Sequence, residues 1–104
     1  MRETVRGFLI KDSFLVTEAN NGAEAYTLFT KGHFDLVLTD CAMPFVSGDE
    51  LALRIRRVAP QQPILMLTGI GYRRSRSNPV DAVLQKPFDY DSLHQEIAKL
   101  LPLS

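Results

Sequence analysis

Short apolar runs alternate with amphipathic segments along the whole chain. Residues 2–11 place Val5, Phe8 and Leu9 at helical spacing, with charged residues between them. Residues 14–16 form a brief apolar run of the β type. The first part of the chain is therefore predicted to be a helix followed by a short strand.

Capping signals mark the next helix. Asn21 is followed three residues later by Glu24, which resembles a capping box and places a helix start here. Gly32 is expected to end this helix. The predicted apolar face consists of Ala25, Leu28 and Phe29.

The second half of the chain repeats the alternation. A strand over residues 35–39 leads through a loop into a helix that begins near Asp49. This helix is expected to turn its apolar side chains inward and its charged side chains outward. The inward set is Leu51, Ile55 and Val58, and the outward set is Glu50, Arg54, Arg56 and Arg57.

Two further strands and a last helix complete the pattern. The strands are predicted at residues 64–67 and 82–84, and the second ends before Lys86 and Pro87, a tight turn compatible with a cis peptide bond. Asp89 caps the last helix, which stops before Pro102. Its buried face is expected to be Leu93, Ile97 and Leu100.

Strands that are apolar throughout and separated by helices predict a parallel sheet covered on both faces. In open sheets of this kind, ligands bind at the carboxyl ends of the strands. Asp40, Thr68 and Lys86 each stand at such an end. We expect the three side chains to share one edge of the sheet.

A carboxylate, a hydroxyl and an ammonium group at one edge suit the handling of a phosphoryl group. The Asp40 carboxylate can act as nucleophile and form an aspartyl phosphate. Lys86 can pair with phosphate oxygens, and Thr68 can bond a third oxygen. Taken singly, each residue also has an ordinary role: a loop cap, a turn residue and a surface lysine.

Charge and composition narrow the classes of function. The 104 residues carry 12 basic and 12 acidic side chains, so bulk electrostatic binding to nucleic acid or to an anionic membrane is not expected. The single cysteine, Cys41, forms no internal disulfide and suits a reducing compartment. Because signal-peptide and membrane-span patterns are also missing, a cytoplasmic location is predicted.

Four stretches of sequence carry a resemblance to a known family, the receiver domain of two-component response regulators. It covers essentially residues 1–104, which are expected to form one domain. The stretches are "VTEANNGAEA" at 16–25, "FDLVLTDCAMPFVSGDEL" at 34–51, "PILMLTG" at 63–69 and "DAVLQKPF" at 81–88.

The resemblance implies a flavodoxin-like α/β fold and a role as phosphoacceptor rather than as an enzyme. Asp40 would receive the phosphoryl group from a histidine kinase or phosphotransfer protein, Thr68 would be the switch hydroxyl and Lys86 would pair with phosphate. Asp40 and the backbone carbonyl of Ala42 would hold Mg²⁺.

The sequence also departs from that family. The family begins with a central strand that ends in two acidic residues, whereas this chain starts inside the helix that follows. Mg²⁺ affinity is therefore expected to be weak or lost, and the slot left in the sheet is expected to favour self-association. Residues 69–80, "GIGYRRSRSNPV", predict that the fourth helix of the family is short or absent.

Two alternatives remain open. A degenerate receiver could act as a phosphorylation-independent interaction module, for which the missing acidic residues would be the natural state. A flavin or nucleotide binder of similar fold has less support, because neither G-x-G-x-x-G after a strand nor a P-loop is present.

Overall fold

A computed structural model of the chain describes residues 2–40, 46–69 and 80–101. Helices and strands alternate along most of this part of the chain. They are α1 (Arg2–Lys11), α2 (Gly22–Lys31), β1 (Val37–Asp40), α3 (Gly48–Val58), β2 (Ile64–Thr68), β3 (Ala82–Gln85) and α4 (Tyr90–Leu100).

The three strands form a parallel sheet in the order β1-β2-β3. Every residue of the central strand β2 is buried, whereas β1 and β3 are partly exposed. The register pairs Asp40 with Leu67 and Thr68 with Gln85. The carboxyl ends of all three strands therefore meet at the same edge.

Alternating side chains of the sheet feed two separate apolar clusters. On one face, Leu65 and Leu67 pack with α1 and α4; on the other, Ile64 and Met66 pack with α2 and α3. Each such buried side chain contributes about 1.5–3 kcal/mol through removal of apolar surface from water. Helices thus cover both faces, which confirms the predicted α/β architecture.

Side-chain caps begin three of the helices, two of them where the sequence indicated. The Asn21 side chain accepts a hydrogen bond from the Glu24 N–H at 2.8 Å, and Asp89 accepts one from the Ser92 N–H at 2.8 Å. The Glu24 carboxylate in turn accepts from the Asn20 N–H, one residue before the cap. Helix α3 begins at Gly48 with Ser47 as its cap, one residue earlier than predicted.

Residues 14–16 are not a strand, contrary to the sequence prediction. A strand needs a hydrogen-bonded neighbour, and within the described chain β1 pairs with β2 alone. The Leu15 side chain is fully exposed. Residues 14–16 therefore have strand-forming side chains but form no paired strand within the described chain.

One position of α3 was also predicted wrongly. Val58 lies in the last turn of the helix and is 58% exposed, so it does not belong to the inward face. Arg56 is only partly exposed, because its guanidinium bonds the carbonyl oxygens of Pro60 and Gln62 and the carboxylate of Asp81. The prediction about the fourth helix of the family falls largely on residues 70–79, outside the described residues.

No helix within the described ranges is long and apolar enough to cross a membrane.

Candidate functional site

The edge formed by the carboxyl ends of the strands brings Asp40 and Lys86 into direct contact. The Lys86 Nζ donates to Asp40 Oδ2 at 2.5 Å, although the two residues are 46 positions apart in sequence. The lysine side chain is 24% exposed and the aspartate 35% exposed. The carboxylate is thus held by one cation while remaining accessible from solvent.

Thr68 ends the central strand between these two residues. It is 2% exposed, and its backbone carbonyl accepts a hydrogen bond from the Lys86 N–H at 2.7 Å. This bond continues the β2–β3 ladder by one residue and fixes the backbone from which the lysine side chain extends. Thr68 is therefore joined to the site through its backbone.

Local structure also fixes the Asp40 backbone. The hydroxyl of Thr39, which is buried, donates to the Asp40 carbonyl oxygen at 3.1 Å. The next residues, including Cys41 and Ala42, lie outside the described residues, and so does the carbonyl expected to bind Mg²⁺. The structure thus describes three of the four predicted site residues and places them at one edge.

The donor set of the described residues does not fit a tight Mg²⁺ site. Mg²⁺ requires near-octahedral oxygen ligation. No group of three or more side chains of the His, Cys, Asp or Glu type comes together within the described part of the chain. One oxygen of Asp40 already accepts a hydrogen bond from the Lys86 ammonium group.

The turn after Lys86 leads directly into α4. The Lys86–Pro87 peptide bond is cis, and Asp89 caps the helix three residues after the lysine. The hydrogen bonds that the Asp89 carboxylate accepts from Ser92 lower its pKa below the usual value. The cap therefore stays ionised and holds the start of α4 close to the site.

A polar cluster joins the end of α1 to the start of α4. Asp12 accepts hydrogen bonds from the Tyr90 hydroxyl and, at 2.8 Å, from Nδ1 of His94. The bond from Tyr90 is the main cause that lowers the pKa of Asp12, and the bond from His94 is the next. The bond to Asp12 in turn raises the pKa of Tyr90. Lys11 lies 4.4 Å from the centre of the Tyr90 ring.

Sequence reasoning did not find this cluster. Its members are 78 and 82 positions apart, so no local pattern joins them. The same holds for Asp81, whose carboxylate accepts from Arg56 and from the Ile64 N–H at the other end of the sheet. These contacts follow from the way that helices pack on the sheet.

Comparison with known proteins gives the same family along nearly the whole chain. The family model of the response regulator receiver domain matches residues 1–98 of the sequence. The receiver protein CpdR of Brucella abortus is 38% identical over 97% of this chain and 88% of its own length. The probable transcriptional regulator ycf29 of Pyropia yezoensis is 33% identical, but the chain spans only 48% of that protein.

Two solved structures of response regulators are similar to this chain in sequence and in fold. The response regulator TrrA of Thermotoga maritima, solved in complex with Mg²⁺–BeF, is 35% identical and has a TM-score of 0.85 over 96% of this chain and 89% of its own. A response regulator from Chloroflexus aurantiacus is 26% identical, with a TM-score of 0.89 over 98% of this chain and 88% of its own.

The chain also matches part of a longer protein by sequence. The sensor kinase/phosphatase LuxN of Vibrio harveyi is 33% identical over a segment that makes up 10% of that protein.

Three observations lead to one conclusion. The parallel sheet of three strands lies between two helical layers, an Asp–Lys pair stands at the carboxyl ends of its strands, and the matches above name one family. The chain belongs to the response regulator receiver domain family, with the flavodoxin-like fold of that family.

Proposed function

We propose that residues 1–104 form one receiver domain that accepts a phosphoryl group on Asp40 from the phosphohistidine of a histidine kinase or phosphotransfer protein. The contact between Lys86 and Asp40 carries this proposal. It places a cation beside a solvent-accessible carboxylate, where new negative charge would develop. Support also comes from relatives, which include a protein named as a sensor kinase/phosphatase.

The chemistry requires a nucleophile and charge compensation. An oxygen of the Asp40 carboxylate attacks phosphorus, a P–O bond forms, and the P–N bond to the donor imidazole breaks. The Lys86 ammonium then pairs with a phosphoryl oxygen. Thr68, at the end of the neighbouring strand, would supply a hydroxyl to another oxygen.

Magnesium is proposed to bind weakly to this chain. Among the described residues, Asp40 offers a carboxylate that is already bonded to Lys86, and the Ala42 carbonyl remains a predicted ligand. Two oxygen ligands leave most of an octahedral shell to water. We therefore assign the compensation of charge in this chain mainly to Lys86.

Intact mass after incubation with a small phosphodonor tests the proposal. The wild-type chain should gain one phosphoryl group that hydroxylamine removes, as expected of an acyl phosphate. Asp40→Asn should show no adduct. Asp35→Asn is a matched control, since Asp35 is an exposed aspartate just before the same strand, and it should retain the adduct; an adduct in Asp40→Asn would refute the assignment.

A second candidate is an interaction module that works without phosphorylation. The position of β1 at the edge of the described sheet favours it, because an edge strand offers backbone groups to another chain. Self-association through this edge belongs to the same candidate. Under this alternative, partner binding would be the same in wild type and Asp40→Asn. Either function suits the cytoplasmic location predicted from the sequence.

A further inference from the structure

A cleft opens at the edge of the sheet opposite Asp40 and Lys86. It lies where α2 and α3 end, between the loop over residues 32–35 and the loop over residues 59–63, and its volume is about 550 Å³. This volume falls within the range of about 300–1,000 Å³ that is typical of ligand-binding sites. The function proposed above makes no use of this end of the molecule.

Hydrogen bonds hold the walls of the cleft in place. The Val37 N–H donates to the Pro63 carbonyl oxygen at 3.0 Å, which ties the end of one loop to the end of the other. The Arg56 guanidinium donates to the Pro60 carbonyl oxygen at 2.7 Å. Its charge is paired with the Asp81 carboxylate at 2.8 Å. The cleft is therefore largely pre-formed, and Arg56 adds little positive charge to it.

Two aromatic rings form one wall of the cleft. Phe29 and Phe34 are stacked, with ring centroids 6.2 Å apart and an angle of 22° between the ring planes. The Phe34 ring lies against Gly32, where an added Cβ would stand 3.1 Å from Cε2 of the ring. Both aromatic side chains line the cleft and are partly exposed, so the cleft offers aromatic surface to a ligand.

The charges around the cleft favour a cation. Asp35 lines the cleft and is exposed. Helices α2 and α3 both end here, and the last carbonyl groups of a helix carry a partial negative charge of about half an elementary charge. Lys31 and Arg57 lie in the last turns of these helices, but both are exposed and outside the described lining, where solvent screens them. A cation in the cleft would thus meet a carboxylate directly.

We propose that the cleft binds the side chain of an arginine presented by a partner protein. The planar guanidinium would stack on Phe34 and pair through two N–H groups with the Asp35 carboxylate. The methylene groups of the arginine would lie against Phe29, Pro60 and Pro63. A lysine suits the cleft less, because its compact ammonium group is strongly hydrated and has no plane to stack. The cleft is larger than one side chain, which leaves room for neighbouring residues of the partner segment.

An NMR titration of the isotopically labelled full chain with short peptides tests this directly. Acetyl-Ala-Arg-Ala-amide should shift the amide signals of residues 32–35 and 61–62 in a saturable way. Acetyl-Ala-citrulline-Ala-amide has the same shape without the charge, and acetyl-Ala-Lys-Ala-amide has the charge without the plane. Each should bind roughly tenfold more weakly or worse. Methylguanidinium alone should also bind more weakly, because it lacks the flanking groups.

The protein side is tested with three variants. Asp35→Asn removes the carboxylate that would pair with the guanidinium and should weaken peptide binding roughly tenfold. Phe34→Leu keeps an apolar side chain but removes the aromatic face, and should weaken binding roughly two- to fivefold. Asp91→Asn is the matched control, since Asp91 is an exposed aspartate in the first turn of α4, and it should bind the peptide like wild type. Because Asp35 and Asp91 are exposed, both Asn variants should melt at the wild-type temperature.

The inference is overturned by any of five results. These are no saturable shifts, equal affinity for the arginine and citrulline peptides, equal affinity for the arginine and lysine peptides, equal affinity of Asp35→Asn and wild type, or methylguanidinium binding as tightly as the peptide, which would make a small guanidinium compound the ligand. The titration does not depend on phosphorylation. Repeating it with Asp40→Asn separates the two proposals, since peptide binding should persist in that variant even if the assignment of Asp40 fails.

Discussion

Lys86 is proposed to compensate the negative charge that phosphorylation adds to the site. Its ammonium group contacts Asp40 directly and extends from a backbone that is bonded to the central strand. The pair is partly exposed, so solvent screens it and its contribution to folding is small, about 0–1 kcal/mol. Its importance is therefore expected in phosphorylation rather than in stability.

Replacing the lysine separates these two effects. Lys86→Gln should reduce the yield of acyl phosphate roughly tenfold or more, because a charge-assisted contact to the phosphoryl oxygens is lost. The unfolding midpoint should change little. Lys99→Gln is the control, because Lys99 is an exposed lysine paired within α4 with Glu96. A similar yield in Lys86→Gln and wild type would contradict the role of Lys86.

Two glycines give opposite expectations for stability. A Cβ at Gly22 would lie 2.3 Å from the Val46 carbonyl oxygen, whereas a Cβ at Gly7 would meet nothing within 4 Å. Gly22→Ala should therefore cost about 1–3 kcal/mol through overpacking of the start of α2. Gly7→Ala, inside α1, should stabilise by up to about 1 kcal/mol. Urea denaturation of both variants measures this; equal midpoints would contradict the packing of α2 near Val46.

At the scale of elements, the junction of α1 and α4 should make stability depend on pH. Folding lowers the Asp12 pKa from its ordinary 3.8, mainly through the bond from Tyr90. A lowered carboxyl pKa stabilises the folded state above the ordinary value, and this stabilisation is lost as the pH falls through the folded value. The window for Asp12 therefore lies below pH 3.8.

Asp12→Asn should be less stable than wild type at pH 7 and should lose less stability on acidification. Tyr90→Phe removes the main cause of the shift and should change the pH dependence in the same direction. Urea denaturation between pH 7 and pH 2 compares the three proteins. Parallel pH profiles for all three would show that the cluster does not stabilise the fold.

The order of elements could be predicted because each depends on local signals. Asn21, Asp89 and the apolar spacing of α3 act within a few residues, and the structure confirms the helices that they mark. The prediction of a strand at residues 14–16 was wrong for a different reason. Its β character requires a neighbouring strand, and sequence pattern alone does not show whether that neighbour is present.

The position of the candidate site could be predicted from the sequence, but the contacts between its side chains could not. Strand ends of a parallel sheet share an edge, so Asp40, Thr68 and Lys86 were expected there. The ion pair itself depends on the register of β2 against β1 and β3, which local patterns do not specify. The cluster at Asp12 lay beyond prediction because residues separated by about 80 positions meet only after packing.

For the whole molecule, weak metal binding is expected, because no group of three or more metal-ligating side chains comes together among the described residues. Extending the chain at its amino end by an apolar strand that ends in two aspartates should raise Mg²⁺ affinity, because two carboxylates would join Asp40 at the same edge. Isothermal titration with Mg²⁺ compares the extended and the original chains. A control extension that ends in two asparagines should have little effect. Equal affinities of all three would contradict the proposed cause of weak binding.

Chemical location of the phosphoryl group tests the central claim most directly. After phosphorylation by a small phosphodonor, borohydride reduces an aspartyl phosphate to homoserine, and peptide mass spectrometry locates the reduced residue. We predict a single reduced position, Asp40, and none in a sample treated first with hydroxylamine. Reduction at another aspartate, or at no residue, would contradict the assignment of this chain as a receiver that is phosphorylated on Asp40.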